Sequence, residues 1–145
     1  MKKHLLATIT LLFVFSMTLR AQDESGVMSL ANHKIIIQLT SDDTLVHKAL
    51  MKQIANIQKA APNASVEVVC HNNGIKLLHA AHTQQAEKIE EMKMRGVDFV
   101  ACENTIRERK IKKEDLLPNI RTVPAGIIEI VMKQEQGWSY LKAGF

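Results

Sequence analysis

Short, almost uninterrupted apolar runs alternate along this chain with stretches of helical periodicity, and that alternation leaves few folds open. Residues 34–39, KIIIQL, and 97–101, VDFVA, have the length and the β-branched or aromatic content of strands covered on both faces. Between them Val46, Leu50, Ile54, Ile57 and Ala61 recur at spacings of three and four, the stripe of an amphipathic helix opened by the capping-competent Thr40-Ser41-Asp42-Asp43-Thr44. Strands that are apolar on both sides need helices on both sides. The sequence therefore calls for a mainly parallel sheet inside an α/β sandwich.

The remaining elements extend the same alternation. Residues 65–70, SVEVVC, alternate more, with Val66, Val68 and Cys70 facing one way and Glu67 and Val69 the other, and read as an edge strand. A short helix over 75–81 carries Leu77 and Leu78. A longer one over 83–95 has an apolar line through Ala86, Ile89 and Met92 and stops at Gly96. After the strand at 97–101 come a helix over 104–110 and a fourth strand at 120–123. Pro124-Ala125-Gly126 then begins a last helix bearing Ile127, Ile128, Ile130 and Val131, and a short edge strand follows at 138–141. With the second and fifth strands at the edges, the expected order is 2-1-3-4-5 in a three-layer α/β/α sandwich. Its crevice would lie between the first and third strands, flanked by residues 40–43 and 102–105.

The N-terminus has a different character. Lys2 and Lys3 precede an apolar core from Leu5 to Phe15 and a small-residue exit at Ala21, the pattern of a secretory signal peptide. The expected organisation is a signal peptide over 1–21, a flexible lead-in over 22–32 and one domain over 33–145. The corresponding location is periplasmic or secreted, with no membrane attachment after cleavage. Losing residues 1–21 removes three basic residues and no acid, so the formal charge falls from +4 to +1. A chain so near neutrality, with no basic cluster interleaved with aromatics, lacks the electrostatic footprint of a nucleic-acid binder.

Two cysteines, Cys70 and Cys102, do not make a disulfide-rich scaffold. In the expected strand order their ends would stand about 10 Å apart, beyond the ~7 Å reach of a disulfide, so both are expected as free thiols. No glycine-rich turn follows the first strand, which removes the nucleotide-phosphate fingerprints, and no cofactor is expected. Asp42 and Asp43 read as capping residues. His71, His79 and His82 lack the accompanying ligands of a zinc site, so no metal is assigned.

Cys102 is placed differently from Cys70. It sits where a strand ends and Glu103-Asn104-Thr105 opens a helix, and helix N-termini at strand ends favour negative charge, a thiolate included. Candidate ligand-binding residues around it are Thr40, Ser41, His71, Asn72, Asn104 and Thr105.

Over residues 34–141 the chain resembles the DsrE/DsrF-like family of small sulfur-relay proteins. The resemblance is carried by Gln38-Leu39-Thr40-Ser41, by Val68-Val69-Cys70-His71 with Gly74-Ile75, and by Gly96-Val97-Asp98-Phe99-Val100-Ala101-Cys102 with Asn104-Thr105. Asp115-Leu116-Leu117-Pro118, Val123-Pro124-Ala125-Gly126 and Gly137-Trp138-Ser139-Tyr140 complete it. It implies a DsrE-like fold, homo-oligomers, and a cysteine after the third strand that accepts sulfur as a persulfide, the position held here by Cys102. The resulting expectation is an exported carrier of sulfane sulfur, at most sulfurtransferase-like, that exchanges sulfur with a partner thiol. The alternative is a non-catalytic oligomeric module that binds a small ligand or a protein, with Cys102 merely packed.

Overall fold

The structure, a computed structural model, describes residues 26–144. The signal peptide expected over 1–21, the first residues of the lead-in and Phe145 lie outside the described residues. The chain runs β1 (Lys34–Leu39), α1 (Thr44–Ala60), β2 (Ser65–Cys70), a 3-10 segment (Asn72–Leu78), α2 (Ala86–Met94), β3 (Asp98–Cys102) and α3 (Glu103–Glu108). A 3-10 turn (Lys113–Asp115), β4 (Arg121–Val123), α4 (Gly126–Glu135) and β5 (Ser139–Lys142) complete it. Asp43 caps α1 as its sequence position predicts, its carboxylate accepting the Leu45 N–H at 2.7 Å. Of the lead-in, residues 26–32 are irregular, and the N–H groups of Met28 and Ser29 both donate to the Ala60 carbonyl at the end of α1.

All neighbouring strands are parallel, as expected, but the order is β4-β3-β2-β1-β5 and not 2-1-3-4-5. β2 is therefore an interior strand. The sequence misleads at Glu67, whose acidic side chain looks like a solvent-facing edge residue but is 1 % exposed and paired with Lys133 at 2.6 Å and Arg121 at 2.9 Å. Crossover handedness explains the observed order. From β1 to β4 the chain steps one way across the sheet with its connecting helices on one face, and α4 must cover the opposite face to bring β5 back beside β1.

The two faces are unequal. On the first, α1, the 3-10 segment and α2 bury Leu50, Ile54, Leu77, Leu78, Ile89 and Met92 against Val68, Cys70 and Phe99. On the second, α4 alone lies over a small cluster of Ile36, Val69, Val100, Val123 and Ile130, with Trp138 at its border. Among the described residues no helix is long and apolar enough to cross a membrane.

Candidate functional site

Cys102 ends β3 and caps α3, with extended backbone (φ −78°, ψ 118°) beside the first N–H groups of the helix, which have no partner within it. The Gly126 N–H donates to Cys102 Sγ at 3.2 Å. Cys102 makes no side-chain cap hydrogen bond to α3, but the nearby backbone N–H groups of Asn104 and Thr105 and the Thr105 hydroxyl also favour negative charge on the sulfur. Burial of the side chain pushes this thiol upward, but the donors from Gly126, Thr105 and Asn104 together outweigh it and hold Cys102 below the usual thiol range. The residue is 5 % exposed, so the sulfur faces a cavity and not bulk solvent.

Gly126 is the far wall of this arrangement. A Cβ there would stand 3.2 Å from Cys102 Cβ and 3.0 Å from Val69 Cγ1, so any larger residue would make these neighbours give by a few tenths of an ångström. Thr105 has a double role: its hydroxyl favours negative charge on the sulfur while its Oγ1 accepts the Asn72 N–H at 3.0 Å. Asn72 adopts a left-handed backbone (φ 51°), and Arg109 Nη2 donates to its Oδ1 at 2.7 Å and to that of Asn73 at 2.5 Å. Arg109 therefore acts on the loop beside the cysteine. His71 Nε2 lies 2.8 Å from Gln38 Nε2, and burial holds its imidazole below the ordinary histidine value.

These groups surround a cavity of about 350 Å³. Of the residues expected from the sequence, Cys102, His71, Asn72, Asn104 and Thr105 line it. Thr40 and Ser41 do not. With β2 between β1 and β3, the crevice expected between the first and third strands does not form; Ser41 instead accepts the Asp43 N–H through Oγ and His47 Nε2 through its carbonyl. Ala125, Gly126, Ile127 and Glu108 were not expected and complete the lining. Their only sequence signal is a glycine at a helix start, Pro124-Ala125-Gly126, after a strand.

Cys70 and Cys102 are both free thiols. The reason is not distance across an intervening strand, because β2 and β3 are neighbours and Cys70 pairs with Ala101. Successive strand residues face opposite ways, so Cys102 projects to the face that Cys70 avoids. Cys70 is fully buried among hydrocarbon, and burial drives its thiol far above the ordinary range. Among the described residues no group of three or more His, Cys, Asp or Glu side chains is placed to hold a metal ion; His79 and His82 stack, their rings 4.4 Å apart.

No curated protein matches this chain. It is similar to a protein of unknown function from Methanobacterium thermoautotrophicum at 26 % identity and a TM-score of 0.73, over 77 % of this chain and 99 % of that one. A conserved protein of unknown function from Bacteroides thetaiotaomicron shares the fold at 18 % identity and a TM-score of 0.62, over 78 % of this chain and 97 % of that one. The sequence model of the DsrE/DsrF-like family matches residues 13–143, and the chain belongs to that family.

Proposed function

We propose that this protein carries sulfane sulfur as a persulfide on Cys102, in the manner of a sulfur relay. The observation that carries the reading is the Gly126 N–H donated to Cys102 Sγ beside the first N–H groups of α3, which favours the thiolate form inside a cavity large enough for a small sulfur donor. In the loading step the Cys102 thiolate attacks the outer sulfur of a persulfide R–S–SH. The S–S bond of the donor breaks, R–S⁻ leaves, and Cys102–S–SH forms with no outside oxidant. Delivery reverses the roles: a partner's thiolate attacks the outer sulfur, and Cys102 departs as a thiolate into the same donors.

The N-terminal pattern of Lys2, Lys3 and the apolar core to Phe15 supports an exported, periplasmic or secreted carrier. Homo-oligomeric assembly has a surface to use. Ile127, Ile128, Val131 and Met132 leave the outer side of α4 apolar and between 43 and 54 % exposed, beyond the scatter of single apolar residues on a monomer. Incubation with a small alkyl persulfide followed by intact-mass and peptide analysis is expected to add about 32 Da, one sulfur atom, at Cys102. An equal adduct on Cys102→Ser, or none on the wild type, overturns the reading.

The small exposure of Cys102 favours a second reading, a non-catalytic module that binds a small ligand or protein in this cavity with the cysteine as packing. Under that reading Cys102 stays inert to alkylating agents across the pH range.

A further inference from the structure

A string of hydrogen bonds crosses the sheet toward the Cys102 cavity through residues to which the sulfur chemistry assigns no part. Tyr140 on β5 donates its hydroxyl proton to Gln38 Oε1 on β1, and Gln38 Nε2 lies 2.8 Å from His71 Nε2 at the end of β2. An amide nitrogen only donates. With the amide oxygen held by Tyr140, the amide nitrogen needs a ring nitrogen that carries no proton, which places the His71 proton on Nδ1. Among the described residues no acceptor is recorded for that N–H, while the ring lines the cavity. Burial keeps the ring neutral near pH 7.

A persulfide on Cys102 creates a demand that the donors already described do not meet. The N–H groups of Gly126, Asn104 and Thr105 address the inner sulfur, whereas the charge of an ionised persulfide resides on the outer one. Cys102 and Glu108 are the ionisable groups that share the cavity with His71, and Arg109 is engaged with Asn72 and Asn73. A cation is thus absent from the described lining, and a neutral N–H is the donor at hand.

We propose that Tyr140 and Gln38 are positioning residues that lock His71 in its Nδ1–H tautomer, and that His71 thereby donates a hydrogen bond to the outer, anionic sulfur of the persulfide on Cys102. This rests on the carrier reading. The proton of Cys102–S–SH leaves to solvent and no electron moves, so the step is an ionisation held in place by one donor.

Nitrogen-15 NMR of the full chain reads the tautomer directly, and reaction with a small alkyl persulfide reads its consequence. Wild-type His71 is expected neutral with its proton on Nδ1. In Gln38→Glu the new carboxylate demands a proton on Nε2, and persulfide loading should fall about tenfold, the worth of one hydrogen bond to a charged group. Alkylation of Cys102 by iodoacetamide, which leaves no anionic outer sulfur, should change less than about twofold. Tyr140→Phe frees the amide to turn over and should give a mixture of tautomers with a smaller loss. His71→Asn, which keeps an N–H near the Nδ1 position, should load faster than His71→Ala. A wild-type proton on Nε2, or Gln38→Glu loading at the wild-type rate, overturns the relay. Nδ1–H in a protein that takes no sulfur overturns the carrier reading on which the relay's purpose depends, so the two failures are distinguishable.

Discussion

Each face of the sheet holds one cysteine, and the two faces treat it in opposite ways. On the thick face, Cys70 is sealed by α1, the 3-10 segment and α2 among Leu, Ile and Val side chains, and the thiol is driven upward by burial with nothing to oppose it. On the thin face α4 begins close to the end of β3 and contributes a backbone N–H where the other face contributes hydrocarbon. Cys102 is almost as buried, yet its thiol is lowered. Burial alone therefore does not decide the chemistry of a cysteine in this fold. What decides it is whether the covering element brings amide donors or apolar side chains.

The most decisive way to break this contrast is alkylation. At pH 7 iodoacetamide is expected to label Cys102 more than about a thousandfold faster than Cys70, because the attacking species is the thiolate and only one site stabilises it. Peptide mass spectrometry of briefly labelled native protein checks the ratio. Comparable labelling of both cysteines, or of neither, removes the distinction.

Cys70→Ser sharpens the same contrast from the apolar side. Its hydroxyl would be buried with no partner on a face built from hydrocarbon, and the fold should lose about 2 kcal/mol in urea denaturation. Cys102 should react as before. A change in Cys102 reactivity would show that the faces communicate through the paired ends of β2 and β3.

How much of this contrast was legible in the sequence depends on how local its cause is. The strand and helix positions follow from periodicity, and Cys102 stands out because a strand end and a capping sequence meet at one residue. His71, Asn72, Asn104 and Thr105 were within reach for the same reason, lying just after strands. Glu67 was misread because an acid in a strand looks exposed until its partners Lys133 and Arg121, far along the chain, are known. That one misreading moved β2 to the edge and drew Thr40 and Ser41 into a crevice that does not exist. Gly126 reaches Cys102 from 24 residues downstream, and Gln38 meets His71 across 33, so neither partnership has a local signature.

Thr105→Val tests the polar side with a smaller expected effect. The variant loses the hydroxyl that favours the Cys102 thiolate and the oxygen that accepts the Asn72 N–H, at unchanged shape. The pH at which alkylation reaches half its maximum should rise, and the rate at pH 7 should fall about tenfold, one pKa unit. The linkage has a definite sign. Because the folded-state pKa of Cys102 is depressed, the thiolate contributes stability that is present above the unfolded value of ~8.5 and is lost as pH falls through the folded value. The stability advantage of the wild type over Thr105→Val should accordingly grow between neutral and alkaline pH.

The smallest expected effect concerns Glu67, the acid that the thin face buries where the thick face would place a leucine. Burial raises its carboxyl above the usual 4.5, against the pull of Lys133 and Arg121, and one of its oxygens, Oε1, has no hydrogen-bond partner. A raised acid binds its proton more tightly folded than unfolded. Its contribution is therefore complete at low pH and declines as pH rises from the unfolded value through the raised folded one. Glu67→Gln has no proton to lose, keeps an oxygen for Lys133 and Arg121, and leaves Asp98 and Glu129 to pair with Arg121. Urea denaturation of both proteins at several pH values should show the wild type losing ground to the variant as pH climbs through that window. If the wild type gains ground instead, its ion pairs outweigh the cost of removing the carboxylate from water. Charge would then add to the cohesion of the thin face at the Glu67 end of the sheet, while the Gly126 N–H at the other end remains what separates the two cysteines.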